Sequence, residues 1–271
     1  MKSSPSLYAL LILLSGAKNR IRPHFKKIAS CFMLLALVAC TPKSDEPIQQ
    51  PEDLLAGVSK AICYSGYRDG QHPDRGEGAK HPTAEQILED LQLIYQAGFS
   101  LLRLYDSQEK SETVIKLIDQ HQLPIKVMLG IWLSAELSNH ETCEWLIEAI
   151  PDETLAANKI ANEQEIQRGI QLANNYPHII DAVNVGNEVL VDWNDHAVHV
   201  DTLIRYVRSV KAAINQPVTV AENYEWWAAH GEKLASELDF LAIHIYPIWE
   251  HRDIEEGILY SVENVEKVLA A

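Results

Sequence analysis

Beyond residue 57 the chain alternates between short, nearly continuous apolar runs and longer stretches in which apolar positions recur every third or fourth residue. Six runs of the first kind occupy 61–64, 100–105, 125–131, 182–185, 217–221 and 239–244. Strands buried on both faces of a parallel sheet read this way, because neither face meets water. The intervening stretches carry helix signals. Thr83-Ala84-Glu85-Gln86 has the form of a capping box, followed by Ile87, Leu91 and Ile94 on one face and by Gly98 as the stop. Asn162-Glu163-Gln164-Glu165 opens a second helix carrying Ile166, Ile170 and Ala173. A third, over 198–214, lines up Leu203, Val207, Val210 and Ile214, and a last one runs over about 254–269. Alternation at this spacing predicts an α/β fold with a parallel sheet.

Two parallel architectures compete. A doubly wound sheet usually carries a glycine-rich phosphate loop after its first strand, and Cys63-Tyr64-Ser65-Gly66-Tyr67-Arg68-Asp69-Gly70 is not one. Instead Tyr64, Arg103, Trp132, Glu188, Glu222 and His244 follow the successive runs. Polar and aromatic groups at the C-terminal ends of successive strands are the pattern of a (β/α)8 TIM barrel, here with about six of its eight units.

Composition bounds the partners. The chain has 271 residues, 47% of them hydrophobic, enough for one large domain with a substantial core. Its 38 acidic against 23 basic residues give a formal net charge of -15. That balance argues against nucleic acid or an anionic membrane surface as ligand and suits a neutral polysaccharide.

Residues 1–40 read as a signal segment. Lys18, Arg20, Arg22, Lys26 and Lys27 precede an apolar stretch over 28–39, too short to span a membrane comfortably. It closes on Leu37-Val38-Ala39-Cys40, which looks like a bacterial lipobox with Cys40 as the lipidated residue. A plain secretory signal is the alternative. A second apolar patch over 7–14 fits a start site placed too far upstream. The polar run over 41–56 is then a tether, leaving 57–271 as the barrel domain. The expected location is the cell envelope, lipid-anchored to the outer membrane because Thr41 rather than Asp follows the cysteine. Cys63 and Cys143 match no spacing motif and form either a disulfide or two buried free thiols.

The sharpest chemical signal is Gly186-Asn187-Glu188, closing the run over 179–185. It places an amide and a carboxylate together at a strand's C-terminal edge, the floor of a barrel active site. Such a pair suits glycoside hydrolysis: the Glu protonates the leaving oxygen and the Asn holds the sugar 2-hydroxyl. Metal chemistry has little support. His196 and His199 stand three apart on what reads as a solvated helix face, and His140, Glu141 and Cys143 lack a matching partner. No cofactor or metal is expected.

Four stretches together resemble glycoside hydrolase family 17, the β-1,3-glucanase family of clan A. They are Ile62-Cys63-Tyr64-Ser65-Gly66-Tyr67, Leu102-Arg103-Leu104-Tyr105-Asp106, Val183-Asn184-Val185-Gly186-Asn187-Glu188 and Ile243-His244-Ile245-Tyr246-Pro247. The resemblance implies a retaining mechanism on β-glucan, with Glu188 as general acid/base and Asn187 on the sugar 2-hydroxyl. It also implies that Tyr64 and Tyr246 line the reacting subsite, and that Arg103 and His244 orient the nucleophile. Trp132, Trp226, Trp227 and Trp249 are candidate sugar platforms, at least two of them expected to be rim packing. The family's nucleophile, a Glu after strand seven, has no counterpart here, which reads as a truncated product with an exposed apolar edge and little activity. Glu222 or Glu225 would have to lie about 5–5.5 Å from Glu188 to replace it, and substrate contact or support is the better role for Glu222. The alternatives are a β-glucan transglycosylase and a non-catalytic glucan-binding surface lipoprotein.

Overall fold

A computed structural model describes residues 60–74 and 78–271. The signal segment, Cys40 and the tether lie outside these. Strands β1 (Ala61–Cys63), β2 (Leu101–Arg103), β3 (Lys126–Ile131), β4 (Ile180–Asn187), β5 (Val218–Asn223) and β6 (Ala242–His244) form one sheet in chain order. Every pairing is parallel. Helices α1 (Ala84–Gln96), α2 (Glu109–Gln120), α3 (Asp152–Asn175), α4 (Val200–Ala213), α5 (Tyr224–His230), α6 (Glu232–Ala235) and α7 (Gly257–Leu269) supply the crossovers and the final segment.

The sheet is rolled. Arg103 on β2 and His244 on β6 lie four strands apart, about 19 Å in a flat sheet at the usual strand spacing. Their side chains nevertheless meet at 2.8 Å. Only curvature of the kind that closes a barrel brings them together, so the fold is a partial (β/α) barrel.

Its core is densest in the middle strands. β5 is buried throughout, and so are β3 after its first residue and β4 up to its last. Helix α2 adds Val114, Ile115 and Ile118, and α4 adds Leu203, Val207 and Val210. Packing there is close enough to demand glycine at one point. A Cβ on Gly130 would stand 2.4 Å from the Leu104 carbonyl oxygen, so the segment leaving β2 passes directly over it.

Helix starts follow local chemistry where the cap is explicit. The Thr83 hydroxyl accepts from the Gln86 amide at 3.3 Å and the Gln86 side chain accepts from the Thr83 amide at 3.0 Å, completing the expected capping box. Helix α3 corrects the sequence reading: it starts at Asp152, not near Asn162. Asp152 and Glu153 sit in its first turn, where carboxylates offset the helix dipole. Asn162 is buried in mid-helix, its Oδ1 accepting from the Ser134 amide and its Nδ2 donating to the Ser134 carbonyl. The loop after β3 is thereby tied to α3.

The periphery is different in kind. Among the described residues β1 and β6 are the edges of the sheet. On and before α7, Ile254, Ile258 and Leu259 are all exposed, Ile258 to 82%. These exposed apolar side chains lie on the helix and the segment before it, not on the edge strand β6. No helix among the described residues is long and apolar enough to cross a membrane.

Candidate active site

The end of β4 is bent by an extra residue. Asn184 pairs with Thr219 but Asn187 pairs with Ala221, so β4 spends three steps where β5 spends two. Gly186 takes up the bulge at φ 80°, and the Asn184 Nδ2 donates to its carbonyl at 2.7 Å. Glu188 follows at φ 51°, a left-handed conformation that costs a non-glycine residue about 1–3 kcal/mol. Backbone bonds hold it there. The Glu188 amide donates to the Ala221 carbonyl at 2.8 Å and the Asn194 Nδ2 donates to the Glu188 carbonyl at 2.9 Å.

The Asn187 and Glu188 side chains meet groups from β2 and β6. Arg103 donates from Nη2 to Asn187 Oδ1 at 2.6 Å and from Nη1 to His244 Nε2 at 2.8 Å. Because guanidinium only donates, His244 Nε2 accepts and its proton resides on Nδ1. That nitrogen lies 3.0 Å from Glu188 Oε1, near enough for an electrostatic contact although off the line of a hydrogen bond. Tyr246 packs on the His244 ring at 5.5 Å between centroids. Burial, reinforced by the Glu188 charge, pushes its hydroxyl up to about 12.

Tyr105 and the exposed Cys63 complete the cluster and were missed as site residues. The Arg103 guanidinium lies 4.9 Å over the Tyr105 ring. Burial raises the Tyr105 hydroxyl pKa, and so do its hydrogen bond to the Cys63 thiol and the nearby Glu188. Tyr64, expected here, is elsewhere: its hydroxyl donates to Asp90 on α1 at 2.9 Å. Strand parity explains the exchange. Cys63 pairs with Arg103, so the two share a face and Tyr64 takes the opposite one. Cys143 is buried with its thiol on the Trp193 carbonyl, and both cysteines are free.

Trp132 reaches the cluster through His196. Their rings stack at 4.7 Å, and His196 Nε2 lies 2.9 Å from the Asn187 carbonyl oxygen. His196 is thus in the loop before α4, not on a solvated helix face, and His199 is the residue preceding that helix. The remaining tryptophans separate. Trp227 is core, its indole donating to the Ala242 carbonyl, and Trp249 is exposed. Trp226 lines a neighbouring depression of about 370 Å³ with Trp193, Glu225 and His230, outside the Arg103–Glu188 cluster.

Glu222 also departs from the expected substrate contact. It is fully buried, with Oε1 accepting from the Leu190 amide at 2.9 Å. Burial pushes its carboxyl up to about 8, against the pull of the Leu190, Val189 and Asn223 amides and with a further push from Glu188. Glu225 is exposed on α5, its carboxylate 3.4 Å from the Tyr224 hydroxyl. Among the described residues no group of three His, Cys, Asp or Glu side chains is arranged to hold a metal ion.

A rolled parallel sheet with a carboxylate, an amide, a guanidinium, an imidazole and tyrosines at its strand ends defines a β/α-barrel enzyme site. Residues 61–271 match the family described as BtgE/BtgC glycoside hydrolase domain, and the chain belongs to that family. Among solved structures it is similar to an endo-laminarinase from Formosa Hel1_33_131, at 20% identity and a TM-score of 0.66, over 82% of this chain and 64% of that one. It is also similar to a glycoside hydrolase family 17 β-1,3-glucanosyltransferase from Rhizomucor miehei, at 20% identity and a TM-score of 0.55, over 78% and 66%. An active-site mutant of β-1,3-glucanosyltransferase from Rhizomucor miehei, in complex with laminaritriose, matches at 20% identity and a TM-score of 0.55, over 79% and 66%. The chain thus spans 64–66% of the length of these structures. No curated protein matches it.

Proposed function

We propose that this domain carries the general acid/base of a retaining β-1,3-glucan hydrolase of glycoside hydrolase family 17. One observation carries the reading: the left-handed turn after β4 presents Glu188 to a network joining Arg103, Asn187 and His244. Glu188 protonates the departing glycosidic oxygen, then takes a proton from the incoming water. Arg103 occupies Asn187 Oδ1, which leaves Nδ2 to donate to the sugar 2-hydroxyl. Tyr246, Tyr105 and Trp132 form the walls of the reacting subsite, and their low-polarity surfaces strengthen these contacts.

The attacking carboxylate of a retaining pair stands about 5–5.5 Å from the acid. Glu222 is sealed in the core and Glu225 faces solvent from α5. We therefore place the nucleophile outside strands β1 to β6, on the open side that β1 and β6 border among the described residues. The glucanosyltransferase likeness favours a second reading in which a sugar hydroxyl replaces water as acceptor at the same Glu188. Export and lipid anchoring at Cys40 belong to the proposal too. Palmitate-analogue labelling lost in Cys40→Ala supports them, and an unmodified soluble product contradicts them.

The test of the acid/base assignment is kinetic. In the active enzyme Glu188→Ala should cost about 10²–10⁴-fold on unactivated β-1,3-glucan and far less on substrates with activated leaving groups. Azide should rescue that variant and give a β-glycosyl azide. Near-normal turnover of unactivated glucan, or an α-azide, would refute the assignment.

A further inference from the structure

We infer that Glu222 is a positioning residue, whose buried carboxyl clamps the left-handed turn that presents Glu188. The clamp shows in the backbone groups of the turn between Asn187 and Leu190. His196 lies on the Asn187 carbonyl and Asn194 donates to the Glu188 carbonyl. The Glu188 amide is satisfied by the Ala221 carbonyl. The Val189 carbonyl accepts from the Val198 amide at 2.9 Å, and the Leu190 amide is held by a side chain. The Leu190 amide donates to Glu222 Oε1 at 2.9 Å, with the Val189 amide also near that carboxyl. Without that acceptor the Leu190 amide would be orphaned, at about 1–3 kcal/mol.

The placement on β5 matters. Glu222 follows Ala221, whose carbonyl already holds the Glu188 amide, so one strand grips the turn at two successive points. The Glu188 backbone has no intrinsic preference for φ 51°, and this grip offsets the strain. Residues held in strained conformations by surrounding bonds are common where a side chain must be aimed. Glu222 is also fully buried, so it reaches no substrate and acts through Glu188 alone. Its Oε2 has no hydrogen-bond partner among the described residues, so the carboxyl holds the turn through Oε1. Burial favours the protonated carboxyl at neutral pH.

A neutral acid and a primary amide share shape and a carbonyl acceptor, which makes the idea testable with one conservative and one apolar variant. Amide hydrogen exchange in the full chain is compared for wild type, Glu222→Gln and Glu222→Met, with the Val220 amide reporting global opening. Exchange at Leu190 should quicken about tenfold in Glu222→Met, the value of one lost hydrogen bond, and return close to wild type in Glu222→Gln. Unchanged protection in Glu222→Met overturns the inference. So does a Glu222→Gln variant as impaired as Glu222→Met, since the ionised carboxylate would then be required. A kinetic arm rests on the proposed acid/base role of Glu188. There kcat on β-1,3-glucan should fall about 10²-fold in Glu222→Met with KM little changed, and Gln should rescue it. A change confined to KM would count against positioning. An enzyme that supplies the nucleophile and still turns over no β-1,3-glucan would undo the proposed function, while the exchange measurement still decides the clamp.

Discussion

The middle of the sheet and its rim are built to different standards. β3, β4 and β5 are long and almost wholly buried, and β4 and β5 carry the Glu188 turn with its backbone bonds satisfied. β1 and β6 are three residues each, and α7 shows solvent an apolar face. The site draws on both. Asn187 and Glu188 come from the rigid middle, whereas His244 and Tyr246 come from or just beyond the edge strand β6. Arg103 joins the two by bonding Asn187 and His244 at once. Glu188 is therefore held by the centre of the fold, while the placement of His244 and Tyr246 beside it depends on how firmly the rim is held.

The comparison breaks if the rim is as costly to disturb as the middle. Leu129 is fully buried on β3, so Leu129→Ala should destabilise by about 2–5 kcal/mol in urea unfolding. Ile258→Ala, on the exposed face of α7, should stay within about 0.5 kcal/mol. Equal losses would mean that α7 is packed in solution.

A smaller effect, of a few kcal/mol at most, distinguishes the buried carboxyl of the middle by pH. Folded Glu222 keeps its proton up to about 8, while in the unfolded chain it ionises near its ordinary 4.5. Between those values the folded state binds more protons, so stability should fall as pH rises through this window and level off above it. Glu222→Gln should flatten the slope. Unfolding of both proteins at pH 5 and pH 9 measures it, and parallel slopes would show that Glu222 is ionised in the fold. Smaller still is the cap of α1, where Thr83→Ala should cost about 1 kcal/mol.

Legibility in the sequence followed the same division. All six strands announced themselves as apolar runs, and for β3, β4 and β5 the cause is cover on both faces, which requires apolar residues throughout. Helix α3 hid its start, since its first turns, from Asp152 to Ala161, are mostly exposed and have no side-chain cap. A segment that buries no face need carry no apolar stripe. The network of Arg103, Asn187, Glu188, His244 and Tyr246 was readable from strand ends. Exchanging Tyr64 for Tyr105 needed the register: once Arg103 faces inward, so do Cys63 beside it and Tyr105 two residues on. His196 was out of reach. It arrives from a loop and matters only through its contacts with Trp132 and Asn187. The burial of Glu222 could not be told from its neighbours either, because a carboxylate ending an apolar strand reads alike whether it faces solvent or a turn.

The central claim is that the turn after β4 and the Arg103 network form one sugar subsite at the strand ends. The most direct measurement is a titration of the chain with laminaritriose, followed by the side-chain amide signal of Asn187 in NMR. The account predicts a saturable shift of that signal, matched in Glu188→Gln and lost in Arg103→Ala, which frees Asn187 Oδ1 from its partner. A saturating titration that leaves the Asn187 signal unmoved, with shifts confined to Trp193 and Trp226, would place the sugar elsewhere and contradict it.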